Sequence, residues 1–312
     1  VKVLITGGAG FIGHNLARYL LAQPEIDGVR VIDDLSTGNR ANLDGIDVEF
    51  VEASILDYPA LVEAARGTEA IVHLAAIPSV PRSVANPRAS HDANATGTLN
   101  VLEAAREAGV GYVAVASSSS VYGSNPTLPK SEYAWTRPMS PYAVSKLATE
   151  SYAIAYQFSY GLKTLAFRFF NVYGPGQVAG HAYAAVIPKF LDAALSDRPL
   201  EIQGDGTQSR DFTYVDTLCS VIHQAVVGQI ASTDPVNLAF GTRTSLLELI
   251  ELLESQLGRE LPRVHTDPRV GDVKASQADS TRLRELFPDV VQVPLEEGTA
   301  RTIAWFEEGS AR

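Results

Sequence analysis

The chain has 312 residues, 46% of them hydrophobic and 20% charged, which is enough to bury a full core in one large domain or in a domain with a smaller partner. A formal net charge of −11 argues against a nucleic-acid or anionic-membrane surface, since phosphate backbones are held by clustered Lys and Arg, yet it leaves room for a small anion gripped in a cleft by a few arginines and helix N-termini. Cys219 is the single cysteine, and His14, His73, His91, His181, His223 and His265 lack metal-ligand spacing; a reducing cytoplasm is therefore expected, with neither a disulfide framework nor a protein-held metal.

No apolar run approaches the roughly 18 residues of a membrane helix, and glycines interrupt the opening VKVLITGGAGFIG too early for a signal peptide. In chain order, short Val- and Ile-rich runs read as fully buried parallel strands: VKVLIT (1–6), VRVID (29–33), VEFV (48–51), AIVHLAA (70–76), YVAVASS (112–118) and TLAFRFF (164–170). Between them, Asn15–Leu21 and Asn94–Ala108 have helical apolar spacing, and this alternation implies an α/β fold with a doubly wound parallel sheet. Further along, 171–183 and 203–211 read as long Gly-rich loops, and the helices Ser245–Leu257 and Leu295–Phe306 flank an irregular stretch, 262–277. The expected organisation is a nucleotide-binding domain from 1–170 and 211–235, with a smaller discontinuous α/β substrate domain from 171–210 and 236–312.

After the first strand comes TGGAGFIG, which sets Gly7, Gly10 and Gly13 at GxxGxxG spacing. Such glycines allow a tight turn and close approach of backbone N–H groups to a pyrophosphate, favoured by the following helix N-terminus. Asp33 follows twenty residues after Gly13, at the end of the next strand, where a carboxylate accepts from an adenosine ribose and repels a 2′-phosphate, so NAD is expected over NADP. In SPYAVSK, Tyr142 and Lys146 are four apart and share a helix face. An ammonium there is expected to pull the phenol pKa toward neutrality, fitting Tyr142 to take a hydroxyl proton. ASSSSVYG (116–123), at the carboxyl end of a buried strand, supplies serines for the reacting oxygen.

TGGAGFIG, DDLSTGN (33–39), HLAA (73–76), SSSSVYG, YAVSK, RFFNVYG (168–174) and RDFTYVD (210–216), in this order, resemble the extended short-chain dehydrogenases, most of all the UDP-glucose 4-epimerase branch. SVPRS (79–83), AYAAVIPK (182–189), GDGTQSRDF (204–212) and GDVKASQAD (271–279) resemble the bacterial enzymes acting on UDP-N-acetylglucosamine. The resemblance implies a Ser118, Tyr142 and Lys146 triad. It also implies an NAD site that adds Phe11, Ile12, Asp34, Leu35, Ser36, Thr37, Gly38, Ser54, Ile55, Leu74, Ala75, Ala76, Asn94, Ser117 and Phe169 to the glycines and Asp33. Ser54 stands where relatives usually carry an Asp. For the UDP-sugar it implies Ser79, Arg82, Ser119 and Asp272 as substrate-binding residues, Asn171 on a phosphate or hydroxyl, Ala185, Val186, Ile202 and Gln203 around the uridine, Arg210 and Arg269 on the diphosphate, and Ser276 beside the hexose. Small Ser276 leaves room for an N-acetyl group. A homodimer through helices at about 92–108 and 141–160 is likewise implied. The competing readings are a uronate 4-epimerase, for which 175–183 offers only His181 as a cation, a 4,6-dehydratase, a nucleotide-sugar reductase or dehydrogenase, and an NAD-sensing binding protein. The dehydratase needs an acid and a base where Ser119 and Ser120 stand.

Overall fold

The computed structural model describes residues 1–179, 185–267 and 274–310. Seven parallel strands form the main sheet: β1 (Lys2–Thr6), β2 (Gly28–Asp33), β3 (Glu49–Glu52), β4 (Ala70–His73), β5 (Tyr112–Ser118), β6 (Lys163–Phe169) and a closing strand, Val236–Leu238. The closing strand lies beyond β6, and the order runs on through β5, β4, β1 and β2 to β3. The chain therefore winds outward from β1 to β3, then crosses back to β4 and winds the other way. This opens a crevice at the carboxyl ends of β1 and β4, where doubly wound sheets bind ligands.

Along β1, Val3 and Ile5 face one hydrophobic cluster and Leu4 the other. Such a strand is apolar on both faces, hence the continuous Val/Ile runs. Helix α1 (Phe11–Leu21) and helix Val215–Gly228 cover the first face; α2 (Tyr58–Ala65), α5 (Gly97–Ala108) and α6 (Pro141–Tyr160) cover the second. Two short helices, α3 (Val80–Ala85) and α4 (Pro87–His91), precede α5. Ser140 caps α6 through Ala143 N–H, Pro141 opens it, and Gly161 at φ 69° ends it.

The structure corrects four expectations. VEFV is not a fully buried strand: β3 lies at the sheet edge, with Glu49 and Glu52 exposed. Asp92–Thr96, at the front of α5, is a π-turn, with Gly97 N–H reaching Asp92 O. The long loops contain ladders: Asn171–Tyr173 pairs with Phe212–Tyr214, Ser209–Arg210 with Thr244–Ser245, and Leu200–Gln203 with Arg263–Thr266 inside the stretch read as irregular. Finally, Val236–Leu238, read as the start of the substrate unit, pairs with β6 because Val236 and Leu238 are both wholly buried in the main core.

Candidate active site

A cleft of about 1290 Å³ runs over the carboxyl ends of β1, β4, β5 and β6. At one end the turn after β1 packs without slack. A Cβ on Gly13 would lie 2.3 Å from Gly7 O and 2.5 Å from Gly8 Cα, and one on Gly7, at φ 74°, would lie 2.7 Å from the backbone of Ala75. Gly10 is different: its Cβ would meet only Gly7 O, at 3.3 Å, and it lines the cleft. Gly10 is also the N-cap of α1, with no side chain to cap the helix and no acidic residue in the first turn. The first N–H groups of α1 are thereby left to an anion.

Asp33, at the end of β2, is 8% exposed. Its Oδ2 accepts Ala9 N–H at 2.9 Å and its Oδ1 accepts Leu35 N–H at 2.8 Å, so each oxygen keeps acceptor capacity for a ribose hydroxyl. Burial raises its pKa, and the two N–H groups partly offset this. The uncapped helix, the glycine cradle and this carboxylate suit a dinucleotide.

Ser118 ends β5, and its Oγ accepts Ser120 N–H at 3.2 Å at the start of a tight turn, Ser119–Tyr122. Tyr142 and Lys146 stand one turn apart on α6 and line the same cleft. The electrostatics differ from expectation. Burial raises the Tyr142 phenol above its usual value, and the hydrogen bond with Ser118 pulls it only part of the way back. The Lys146 ammonium donates to Ala116 O at 2.8 Å, and burial lowers its pKa to about 8. Lys146 therefore does not bring Tyr142 toward neutrality in the protein alone; desolvation outweighs the Ser118 hydrogen bond, which is what opposes it.

The cleft wall brings together most of the residues named from the sequence. Besides the glycines, Asp33 and the triad, it contains Phe11, Ile12, Asp34, Ser36, Thr37, Ser54, Ile55, Leu74, Ala75, Ala76, Ser117 and Phe169. Toward its other end it contains Ser79, Arg82, Asn171, Ala185, Val186, Gln203 and Arg210. Several others are not on this wall. Ile202 is wholly buried, since strand Leu200–Gln203 alternates and turns Glu201 and Gln203 outward to the cleft. Asn94 is 1% exposed with its amide already engaged: it accepts Ile77 N–H at 2.8 Å and donates to Ile77 O at 3.2 Å and Ser145 Oγ at 2.9 Å. Leu35 and Gly38 shape the turn beneath; Ser119 and Ser276 are off the wall, Ser276 N–H donating to Ser209 O at 3.1 Å. Arg269, Asp272 and His181 lie outside the described residues. Reading the sequence missed Lys189 and Gln177 on the wall. Lys189 follows Val186 by three residues on helix Val186–Leu195, so helical spacing was its signal.

Fold and site together define a dinucleotide-binding enzyme of the Rossmann class. Residues 3–239 match the model of the NAD dependent epimerase/dehydratase family, and the chain belongs to that family. It is 39% identical to the UDP-glucose 4-epimerase of Mycolicibacterium smegmatis, over 99% of this chain and 100% of that one. Its structure is similar to a UDP-N-acetylglucosamine 4-epimerase from Methanobrevibacter ruminantium M1 in complex with UDP-N-acetylmuramic acid (TM-score 0.93, 34% identity, 99% and 98% covered). It is also similar to a dTDP-glucose 4,6-dehydratase from Streptomyces venezuelae with NAD bound (TM-score 0.91, 34% identity, 100% and 98% covered). NAD is the cofactor, and the activity is that of an NAD-dependent nucleotide-sugar epimerase/dehydratase. No helix among the described residues is long and apolar enough to cross a membrane.

Proposed function

We propose that the chain is a UDP-hexose 4-epimerase that accepts UDP-N-acetylglucosamine and its galacto epimer as well as UDP-glucose and UDP-galactose. The observation that carries this reading is the combination of Ser118, Tyr142 and Lys146 on one cleft with an all-serine turn, Ser119 and Ser120, directly after Ser118. A dehydratase must expel a hydroxyl and needs a proton donor and acceptor there; serines supply neither. NAD, held by the glycine turn, the N-terminus of α1 and Asp33, would supply the hydride acceptor. Tyr142, held by Ser118, takes the proton of the sugar's 4-hydroxyl, and Lys146 beside it favours the phenolate once the site is filled. Loss of that proton together with a hydride from carbon 4 to bound NAD would leave a 4-keto sugar; once the sugar has turned over, Tyr142 would return the proton and the hydride would go back to the opposite face, restoring NAD.

Arg210 and the uncapped N-terminus of helix Val186–Leu195 hold the diphosphate through that rotation, with Gln203 on the uridine side. Anchoring remote from the reacting carbon then serves turnover as well as affinity. The two-part organisation, with the segments after 170 selecting the sugar, belongs to the same proposal. So does a homodimer, for which α6 turns Val144, Tyr152 and Phe158 outward, and so does a reducing cytoplasm, in keeping with the buried free thiol of Cys219.

The test is to incubate the purified protein separately with UDP-N-acetylglucosamine, UDP-glucose and UDP-glucuronate and follow each by proton NMR. A 4-epimer from the first two, with no net change at 340 nm and near-complete loss in Tyr142→Phe, is expected. Net cofactor reduction, or full activity in Tyr142→Phe, refutes the reading.

A further inference from the structure

His73, the last residue of β4, is 2% exposed and takes no part in the chemistry above. Both its ring nitrogens are engaged: Nδ1 lies 2.7 Å from Thr6 Oγ1, and Nε2 lies 3.0 Å from Thr98 Oγ1. Thr6 immediately precedes the glycine turn, and its Oγ1 also accepts Ala75 N–H from the cleft wall at 3.2 Å. On the far side, the Thr98 hydroxyl donates to Asn94 O at 2.5 Å, within the π-turn. That hydrogen is spent, so Nε2 must be the donor toward Thr98. Nδ1 is then the acceptor, and Thr6 Oγ1–H donates to it. Burial and the Lys146 ammonium lower the imidazole pKa to about 3, which keeps the ring neutral.

The chain continues into α6. Thr98 Oγ1 lies 3.0 Å from Thr149 Oγ1, and the single Thr149 hydroxyl hydrogen has Thr98 Oγ1, Asn94 O and Ser145 O within reach, the two carbonyls at 3.2 Å each. Ser145 Oγ donates to Tyr142 O at 2.8 Å and accepts from the Asn94 amide. Tyr142, Ser145, Lys146 and Thr149 share one helix face by their spacing. A single polar path therefore runs from the strand carrying the cofactor turn, through one imidazole, to the helix face carrying the tyrosine and lysine. A residue needed only to fill the sheet core would be apolar, as Ile71 and Val72 are on the same strand.

We propose that His73, as the Nε2–H tautomer, is a positioning residue that sets the spacing between the cofactor turn and the Tyr142–Lys146 face of α6. The kinetic part rests on the epimerase reading; the tautomer does not. Misplacing reacting groups by about 1 Å can cost on the order of 10²-fold in rate.

The experiment uses the NAD-loaded protein. Nitrogen-15 spectra of labelled imidazoles, without substrate, should show His73 as a single Nε2–H tautomer at neutral pH; an Nδ1–H tautomer overturns the proposal even if no variant folds. His73→Gln can keep a donor toward Thr98, whereas His73→Asn reaches only the Thr6 side. The first should hold kcat within about fivefold, and the second should lower it by on the order of 10²-fold with KM for the UDP-sugar within about threefold. Equal kcat in the two variants, or losses in both matched by a rising KM, overturns it. Should the protein prove inactive on every UDP-hexose, the epimerase reading fails while the tautomer still decides the hydrogen-bond path.

Discussion

Replacing Glu150 by glutamine tests what fastens α6 to the sheet. Arg168 on β6 donates from Nη2 to Glu150 Oε1 at 2.7 Å and from Nε to Oε2 at 3.0 Å, and Ser117 Oγ adds a bond to Oε2 at 2.8 Å. Both charged side chains are 4% exposed. Burial alone would lower the Arg168 pKa, but Glu150 more than offsets it and the net shift is upward. Glutamine preserves the shape and loses the charge, leaving the guanidinium with Glu132 O at 3.4 Å and the face of Tyr122 at 4.7 Å. Stranding a buried charge costs about 3–5 kcal/mol, against a total stability of about 5–15 kcal/mol for typical domains. With an unfolding entropy of about 2.1 cal/mol/K per residue over 312 residues, Tm should fall by about 5–8 °C. Thermal melts of the NAD-loaded protein read this directly. Removing both charges, as Glu150→Met with Arg168→Met, should recover most of the loss, because the desolvation penalty disappears with the pair. A fall under about 2 °C in Glu150→Gln, or a double variant no better than the single, refutes the reasoning.

Two other expectations concern the cleft. Gly10→Ala should fold normally, because its methyl meets only Gly7 O, yet lose NAD affinity by about tenfold or more, a cost of about 1.4 kcal/mol, since the methyl enters the space left to the pyrophosphate. Gly13→Ala should lose thermal stability as well, its methyl being driven into Gly7 and Gly8; titration calorimetry and melting curves separate the two cases. In the NAD-free protein, the difference in 295 nm absorbance between wild type and Tyr142→Phe should titrate with a midpoint above the ordinary phenol value of about 10, because burial raises Tyr142 more than Ser118 lowers it. Added NAD should move that midpoint down; a midpoint below about 9 without NAD contradicts the electrostatics described.

The main sheet was readable because a strand buried on both faces needs an uninterrupted apolar run, and Val3–Ile5 or Val113–Val115 cannot be mistaken for anything exposed. The same rule misjudged β3, because VEFV looks alike at the centre or the edge and only strand order decides its burial. The ladders of the second half have two to four residues per strand, and their partners lie far apart in sequence: Leu200–Gln203 meets Arg263–Thr266. Periodicity cannot register over so few residues. Ile202 shows the opposite failure. The alternation of LEIQ points it inward, and assigning it to the cleft by resemblance overrode that local signal. The Tyr142 electrostatics were out of reach for a different reason, since spacing on a helix gives proximity but not desolvation.

What remained hidden is polar and interior. His73 lies 67 residues from Thr6 and 25 from Thr98, and Asn94 lies 51 from Ser145, so no local pattern joins them. Yet these bonds tie α6, with its proton-handling groups, to the floor formed by β1, β4 and α5. The segments beyond residue 170 contribute Asn171, Val186, Gln203 and Arg210 to the facing wall. A floor built this way is indifferent to which sugar arrives, which accounts for close structural similarity to an epimerase and a dehydratase at equal identity, 34% in both cases. On the proposed reading, the choice between reactions falls to the turn that follows Ser118, where Ser119 and Ser120 stand. Small changes in that turn can redirect chemistry that the sheet, the cofactor turn and the network under α6 support in common.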